Sequence, residues 1–193
     1  MTAASDTADR ILDVAERLVQ VRGFNGFSFT DLAAAVRIRK PSVHHHFATK
    51  AVLGERLIDR YTERFDVVLE AIERDEPRAA RRLARYAAIF AEVLRDEGRF
   101  CMCGMLAAEL ATLPDGMRAS VRTFFTHNET WLARVLELGR KQHELAFKGP
   151  PRQLAARLLS GLEGAMLVAR AFGDPTRFES QARALLATLQ PSA

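Results

Sequence analysis

The sequence predicts an all-α protein. Ala, Leu, Arg and Glu, which are good helix formers, dominate the chain, and apolar and polar residues do not alternate over more than a few positions. Apolar residues instead recur every three or four positions between glycines and prolines that mark helix ends. Among the 193 residues, 48% are hydrophobic and 27% are charged, a balance that is typical of a folded globular protein.

The first helix is predicted over residues 5–22. Gly23 follows it as a left-handed cap, and the helix carries a stripe of apolar residues, namely Ile11, Leu12, Ala15, Leu18 and Val19. Three aromatic residues then cross a turn that contains glycine: Phe24, Phe27 and Phe29. This aromatic density in a turn indicates a small core.

Two short helices are predicted next, over residues 30–36 and 40–47. Ser28 or Phe29 begins the first of them. Pro41 suits the first turn of the second, because its missing N–H is not needed there. Two short helices joined by a three- or four-residue turn form the helix-turn-helix motif, whose second helix lies in the major groove of DNA.

Beyond residue 49 the predicted helices become longer, which places a domain boundary near Lys50. Thr49 can cap the helix that starts at Lys50, and Pro77 opens the one after it. The predicted spans are 50–74, 77–97, 101–112, 115–143, 150–172 and 176–189. We therefore expect a three-helix DNA-binding domain over residues 1–49 and a separate domain of longer helices over residues 50–193.

A basic surface is predicted around the second short helix. The net charge is only +4, but the stretch from Val36 to Lys50 contains basic residues and three histidines and no acidic residue. Such side chains meet phosphates and base edges, and helix N-termini also favour phosphate. The candidate DNA-contacting residues are Thr30, Arg39, Lys40, Ser42, Val43, His44, His45 and Lys50. The alternative reading is a solvated basic face.

Residues 10–57 resemble the N-terminal domain of TetR-family transcriptional regulators. The motif elements, in order, are Gly23-Phe24, Thr30-Asp31-Leu32-Ala33, Pro41-Ser42-Val43-His44-His45-His46-Phe47 and Lys50. Two positions depart from the family pattern. Arg37 replaces a common glycine in the turn between the helices, at a cost of up to roughly 1 kcal/mol of backbone strain. His44 replaces a tyrosine that binds phosphate in most members.

This resemblance implies a homodimer that binds a double-stranded DNA operator and responds to a small molecule. It also implies that residues 50–193 form a helical ligand-binding and dimerisation domain. The dimer would use the helices over residues 115–143 and 150–172. Residues 103–114 are also similar to a branch that responds to electrophiles and acrylate. Candidate pocket-lining residues are Phe65, Phe90, Met105, Phe124, His127 and Trp131, and each of them has a core role as its alternative.

Cys101 and Cys103 are candidate sensors of electrophiles or oxidants. Both lie at the predicted start of a helix next to Arg99, and a helix N-terminus and a cation each lower the pKa of a thiol. The alternative is that both are small buried hydrophobic residues. Glu109, enclosed by apolar residues, is predicted to face solvent or to anchor a ligand in a pocket.

Several function classes find no support in the sequence. It shows no signal peptide, no membrane span, no phosphate-binding loop and no catalytic grouping, so we expect a cytoplasmic protein that is not an enzyme and has no cofactor. Three consecutive histidines, from His44 to His46, point about 100° apart on a helix and do not converge on one metal ion. The competing hypothesis is a helical enzyme or ligand carrier with an incidental basic face.

Overall fold

The computed structural model describes the backbone of residues 3–191 and the side chains of residues 6–191. Within that range the chain is helical and contains no strand. The helices are α1 (Ala3–Arg22), α2 (Phe29–Val36), α3 (Lys40–His46), α4 (Lys50–Asp75), α5 (Ala79–Arg95), α6 (Met102–Ala108), α7 (Asp115–Lys141), α8 (Pro151–Ala171) and α9 (Pro175–Ala187), with a 3₁₀ turn at Leu110–Thr112. The all-α prediction is confirmed, and no described helix is long and apolar enough to cross a membrane.

The predicted helix ends agree closely with the observed ones, except after α6. A single helix was expected over residues 101–112, but the α-helix ends at Ala108. Glu109 leaves the helical conformation with φ −100° and ψ 10°, and a 3₁₀ turn follows. The side chain of Glu109 accepts hydrogen bonds from backbone N–H groups of the segment between α1 and α2. These hydrogen bonds favour a conformation of Glu109 that does not continue the helix.

The chain divides into two compact units. The first comprises the described residues of Met1–Glu63 together with Cys101–Thr123, and the second comprises Arg64–Phe100 together with the described part of Phe124–Ala193. The first unit therefore contains α1 to α3, α6, the beginning of α4 and the beginning of α7. The division into functional domains at residue 49 stays a prediction.

The core of the first unit is formed where α1, α2 and α3 cross. Ile11, Leu32 and Val43 are completely buried there. The start of α2 is fixed by a capping box, because the Ser28 hydroxyl accepts from the N–H of Asp31 while the Asp31 carboxylate accepts from the N–H of Ser28. The end of α2 is held by Arg10, whose guanidinium donates to the carbonyl of Val36 at 3.0 Å.

Ion pairs between α1 and α4 reinforce this unit. The half-buried guanidinium of Arg60 on α4 lies 2.9 Å from a carboxylate oxygen of Asp13 and 3.6 Å from one of Glu16. It also donates to the carbonyl of Asp9 at 3.3 Å. One arginine thus holds two turns of α1 against the long α4.

The second unit is built around aromatic rings from α4, α5, α7 and α9. The ring of Tyr86 stacks on that of Trp131 at 5.4 Å, and Phe65 packs edge-on against Phe124 at 5.3 Å. The buried hydroxyl of Tyr86 donates to the side-chain carbonyl of Asn128 at 2.7 Å, which satisfies a polar group inside the core. α8 and α9 pack against each other and against α5.

Arg37 stores backbone strain in the turn between α2 and α3. Its φ of 61° and ψ of 45° are left-handed, and its N–H closes α2 by donating to Ala33 and Ala34 carbonyls. We predict that Arg37→Gly raises the free energy of unfolding by about 1 kcal/mol, because glycine adopts this conformation without a Cβ clash. Arg39→Gly is the control, since Arg39 has an ordinary φ of −78°.

Thermal or denaturant unfolding of the two variants measures this effect. The Arg37→Gly protein should unfold at a higher temperature than the unaltered protein, and the Arg39→Gly protein should not. An Arg37→Gly protein no more stable than its parent would show that the arginine side chain offsets the strain.

Candidate functional site

The exposed face of α3 carries the candidate DNA contacts. Lys40, Ser42, His44 and His45 are all exposed on this helix, and Arg39 is exposed immediately before it. Thr30 is exposed in the first turn of α2. The structure therefore brings six of the eight predicted residues to the surface of one helix-turn-helix.

Val43 differs from the other predicted contacts. Its side chain is completely buried in the core of the first unit, on the face of α3 opposite the polar residues. Phe47, which follows α3, is also buried. In this conformation Val43 supports α3 by packing, and its side chain has no surface to present to a base.

His44 is tied to its own unit by two contacts. Its ring packs edge-on against Phe29, with centroids 4.9 Å apart, and its Nδ1 lies 3.4 Å from the carbonyl oxygen of Ala48. When Nδ1 carries the proton it donates to that carbonyl and fixes the orientation of the ring. His45 and His46 pack edge-on against each other at 5.4 Å.

Lys50 has partners other than the predicted phosphate. Its ammonium donates to the carbonyls of Phe24 and Phe27 and lies 4.6 Å and 4.3 Å from the centroids of their rings. Burial lowers the pKa of Lys50, and the carboxylates of Glu109 and Asp31 oppose that shift. The ammonium therefore holds the segment of residues 23–28, which we call the α1–α2 loop, and contact with phosphate stays a prediction.

Glu109 binds the same loop through its N–H groups. Its two carboxylate oxygens accept from the N–H of Phe24 at 2.6 Å and from the N–H of Asn25 at 3.2 Å. The amide of Asn25 also donates to the hydroxyl of Thr112 at 2.7 Å. Neither of the two roles predicted for Glu109 is the one observed. In the sequence, Glu109 stands out only because apolar residues surround it, and this pattern does not indicate its hydrogen-bond partners.

Four of the six candidate pocket residues are packed together in the second unit. The rings of Phe65, Phe90, Phe124 and Trp131 are buried around Tyr86, so in this structure they form a core. Met105 belongs to the first unit and is only partly buried. A role of these residues in binding a ligand stays a prediction.

A groove of about 300 Å³ between α4 and α7 includes His127 and Trp131. His127 is exposed, and its Nδ1 lies 3.6 Å from a carboxylate oxygen of Asp66. Arg134 pairs with Glu73 at 3.4 Å in the same groove. The indole N–H of Trp131 is buried and has no hydrogen-bond partner among the described residues. The sequence did not indicate the acidic residues of this groove.

The two cysteines are free thiols at the start of α6. Cys101 is the residue before the helix and is 4% exposed, and Cys103 in its first turn is 0% exposed. Arg99, which was expected to activate them, pairs with the carboxylate of Asp96. A reagent that attacks either thiol must therefore enter a closed, packed region.

Two family models match the chain. The model described as bacterial regulatory proteins of the tetR family matches residues 11–57. The model described as the tetracyclin repressor-like C-terminal domain matches residues 79–185. Together they cover the helix-turn-helix and most of the second unit.

Individual relatives agree with these models. The HTH-type transcriptional repressor NemR of Escherichia coli is 28% identical over 168 residues, which cover 86% of this chain and 84% of that protein. The transcriptional regulator AcuR of Cereibacter sphaeroides is 31% identical over 155 residues, covering 77% and 69%. A TetR-family regulator from Agrobacterium tumefaciens has a solved structure that superposes with a TM-score of 0.94 at 32% identity, covering 97% of this chain and 100% of that one.

Substitutions of the exposed residues Lys40 and Ser42 are expected to affect DNA binding differently from a substitution of Lys50. Lys40→Ala or Ser42→Ala should change which DNA sequence is preferred, by roughly 1–3 kcal/mol for each lost base contact. Lys50→Ala should weaken binding to all sequences alike, because Lys50 holds the loop and not a base edge.

Affinities for a series of single-base variants of the selected DNA site measure this difference. Arg122→Ala, at an exposed position of α7, is the control and should leave both affinity and preference unchanged. A uniform loss for Lys40, Ser42 and Lys50 variants, with the same preferred site throughout, would argue against recognition by α3.

Proposed function

We propose that this chain, which belongs to the TetR family of bacterial regulatory proteins, represses transcription by binding a near-palindromic operator as a homodimer. It is a transcriptional regulator and not an enzyme. Repression is supported by the similarity to NemR, which is described as a repressor. The action on DNA implies a cytoplasmic protein, as the sequence led us to expect.

The observation that carries this proposal is the exposed face of α3. Arg39, Lys40 and Ser42 project from a short helix whose other side is buried, and no carboxylate lies between residues 36 and 50 to repel phosphate. A helix of this kind fits the major groove, where cationic and hydrogen-bonding side chains meet base edges.

Selection of bound fragments from a random DNA pool tests the proposal. We expect a near-palindromic site whose affinity falls steeply as the salt concentration rises, since phosphate contacts release counterions. Failure to enrich any sequence, together with binding that is insensitive to salt, would favour the helical enzyme or carrier over the repressor.

A second copy of the chain is the proposed occupant of the outer surface of α8. Leu167 and Val168 on this helix, and Phe172 directly after it, are each more than half exposed, which is unusual for large apolar side chains. Beside them a groove of about 620 Å³ runs between α8 and α9, where the open space over Gly164 leaves room for close approach. One α3 reads only a few base pairs, so two copies are needed for a specific site.

Leu167→Glu tests this dimer. A charge without a partner in the interface should cost roughly 2 kcal/mol or more and shift the protein toward monomers. Val67→Glu is the matched control, because Val67 is also an exposed apolar residue of the second unit but lies on α4. Sedimentation at micromolar concentration measures the outcome. An unaltered protein that is monomeric with and without DNA would contradict the dimer.

Release from DNA is proposed to follow a small-molecule effector or modification of a cysteine. Cys103 is the preferred candidate and Cys101 the second. A redox route is supported by the similarity to NemR, of which a reduced form has been crystallised. Because Cys103 is completely buried, its modification adds bulk to a packed region and must displace α6. The alternative is that both thiols only fill the core and that the effector binds noncovalently.

The cysteine double variant separates these two routes. Operator-bound protein is treated with an alkylating agent or a mild oxidant, and release of DNA is recorded for the unaltered protein and for Cys101→Ser/Cys103→Ser. The unaltered protein should release its operator and the variant should retain it. Equal release from both proteins would assign the cysteines a structural role.

A further inference from the structure

We propose that Glu109 is a positioning residue that couples α6 to the helix-turn-helix. The inference rests on the proposed function, because it concerns how this unit is held ready to bind an operator. Glu109 touches no DNA-facing residue of α3. It acts through the α1–α2 loop, which sets where α2 begins.

The first argument is the geometry of the carboxylate. Each of its oxygens accepts from one N–H of two consecutive loop residues, Phe24 and Asn25, at 2.6 Å and 3.2 Å. A two-pronged, charge-assisted contact of this kind is stronger and more directional than a bond between neutral groups. The orientation of this stretch of the loop is therefore fixed by the position of Glu109.

The second argument is that the backbone at position 23 packs directly against this carboxylate. Gly23 has a φ of +82°, and a Cβ built on it would lie 2.7 Å from Oε1 of Glu109. A side chain at position 23 would therefore collide with the carboxylate as well as strain the backbone. Gly23 thus caps α1 and also admits Glu109.

The third argument is the position of Glu109 on α6. It is the residue directly after α6, and Cys101 is the residue directly before the same helix. Met102, Cys103 and Leu106 are buried, so α6 is held by packing along its length and a displacement at one end is passed to the other. Moving α6 would therefore shift the carboxylate and break its two bonds to the loop.

The fourth argument is the opposing charge of Lys50. Its ammonium binds the carbonyls of Phe24 and Phe27, so the loop is held by a cation on its carbonyls and by an anion on its N–H groups. Loss of the Glu109 carboxylate leaves Lys50 as a charged contact at Phe24 and Phe27, while Asp31 still holds Ser28 at the end of the loop. The loop, and α2 after it, then loses its fixed orientation while the fold is retained.

Glu109→Gln is the variant that tests this coupling. Glutamine keeps the size of the side chain but has one acceptor oxygen, so it cannot accept from both N–H groups through two oxygens. Operator affinity should fall roughly tenfold. Glu63→Gln is the matched control, because Glu63 is an exposed glutamate of the same unit, and its affinity should not change.

Hydrogen exchange distinguishes coupling from a merely structural role. Coupling is reciprocal, so operator binding in the unaltered protein should slow amide exchange in α6 as well as in α2 and α3. In Glu109→Gln the operator should still slow exchange in α2 and α3 but no longer in α6. Persistence of the α6 effect in this variant would overturn the proposal.

The outcomes separate this inference from the proposed function. If the unaltered protein binds no DNA, the proposed function fails and Glu109 is not the cause. If it binds and Glu109→Gln binds equally well, the inference fails alone. Should Glu109→Gln unfold, Glu109→Asp decides, because its shorter carboxylate keeps the charge: reduced slowing in α6 at an unchanged melting temperature supports the coupling, and unchanged slowing overturns it.

Discussion

The arrangement of the DNA-binding unit depends on how Lys50 and Glu109 hold the α1–α2 loop. Residues 23–28 have no regular structure apart from a cap at each end, so their backbone groups need partners from elsewhere. Lys50 binds the carbonyls of Phe24 and Phe27. Glu109 binds the N–H groups of Phe24 and Asn25. Each charge compensates the other where burial would otherwise disfavour it, as the opposing effects on the pKa of Lys50 illustrate.

The basic residues near α3 therefore fall into two groups, one that holds the fold and one that is exposed. Lys50 is directed inward and fixes the loop, whereas Arg39 and Lys40 stay exposed on the proposed DNA-binding surface. A count of positive charges in the sequence does not reveal this division. The affinity of the unit for DNA then depends on the orientation of α3 as much as on its charge, since base contacts require side chains at fixed positions.

The sequence predicted the helices well because their signals are local. Periodic apolar residues, Pro41 at the start of α3 and Gly23 after α1 each act within a few positions, and the structure retains all of them. The contacts of Glu109 were not predicted because its partner Phe24 lies 85 positions away and only the tertiary fold brings them together. Val43 differs, because its helical spacing from Phe47 indicates a shared apolar face, and the structure buries both residues.

The candidate sensing residues are packed, and this limits how a proposed effector could act. Phe65, Phe90, Phe124 and Trp131 contact one another or Tyr86 in the core of the second unit, and Cys103 is closed off in the first. A ligand shifts a conformational equilibrium only by as much as it binds one state better than the other. An effector that enters the core of either unit must therefore replace packed contacts. It must also bind more tightly to a conformation in which those side chains have moved than to the packed one. Because Cys103 lies in α6 and Glu109 follows that helix directly, the proposed coupling implies that a displacement of α6 that opens the thiol also disturbs the α1–α2 loop.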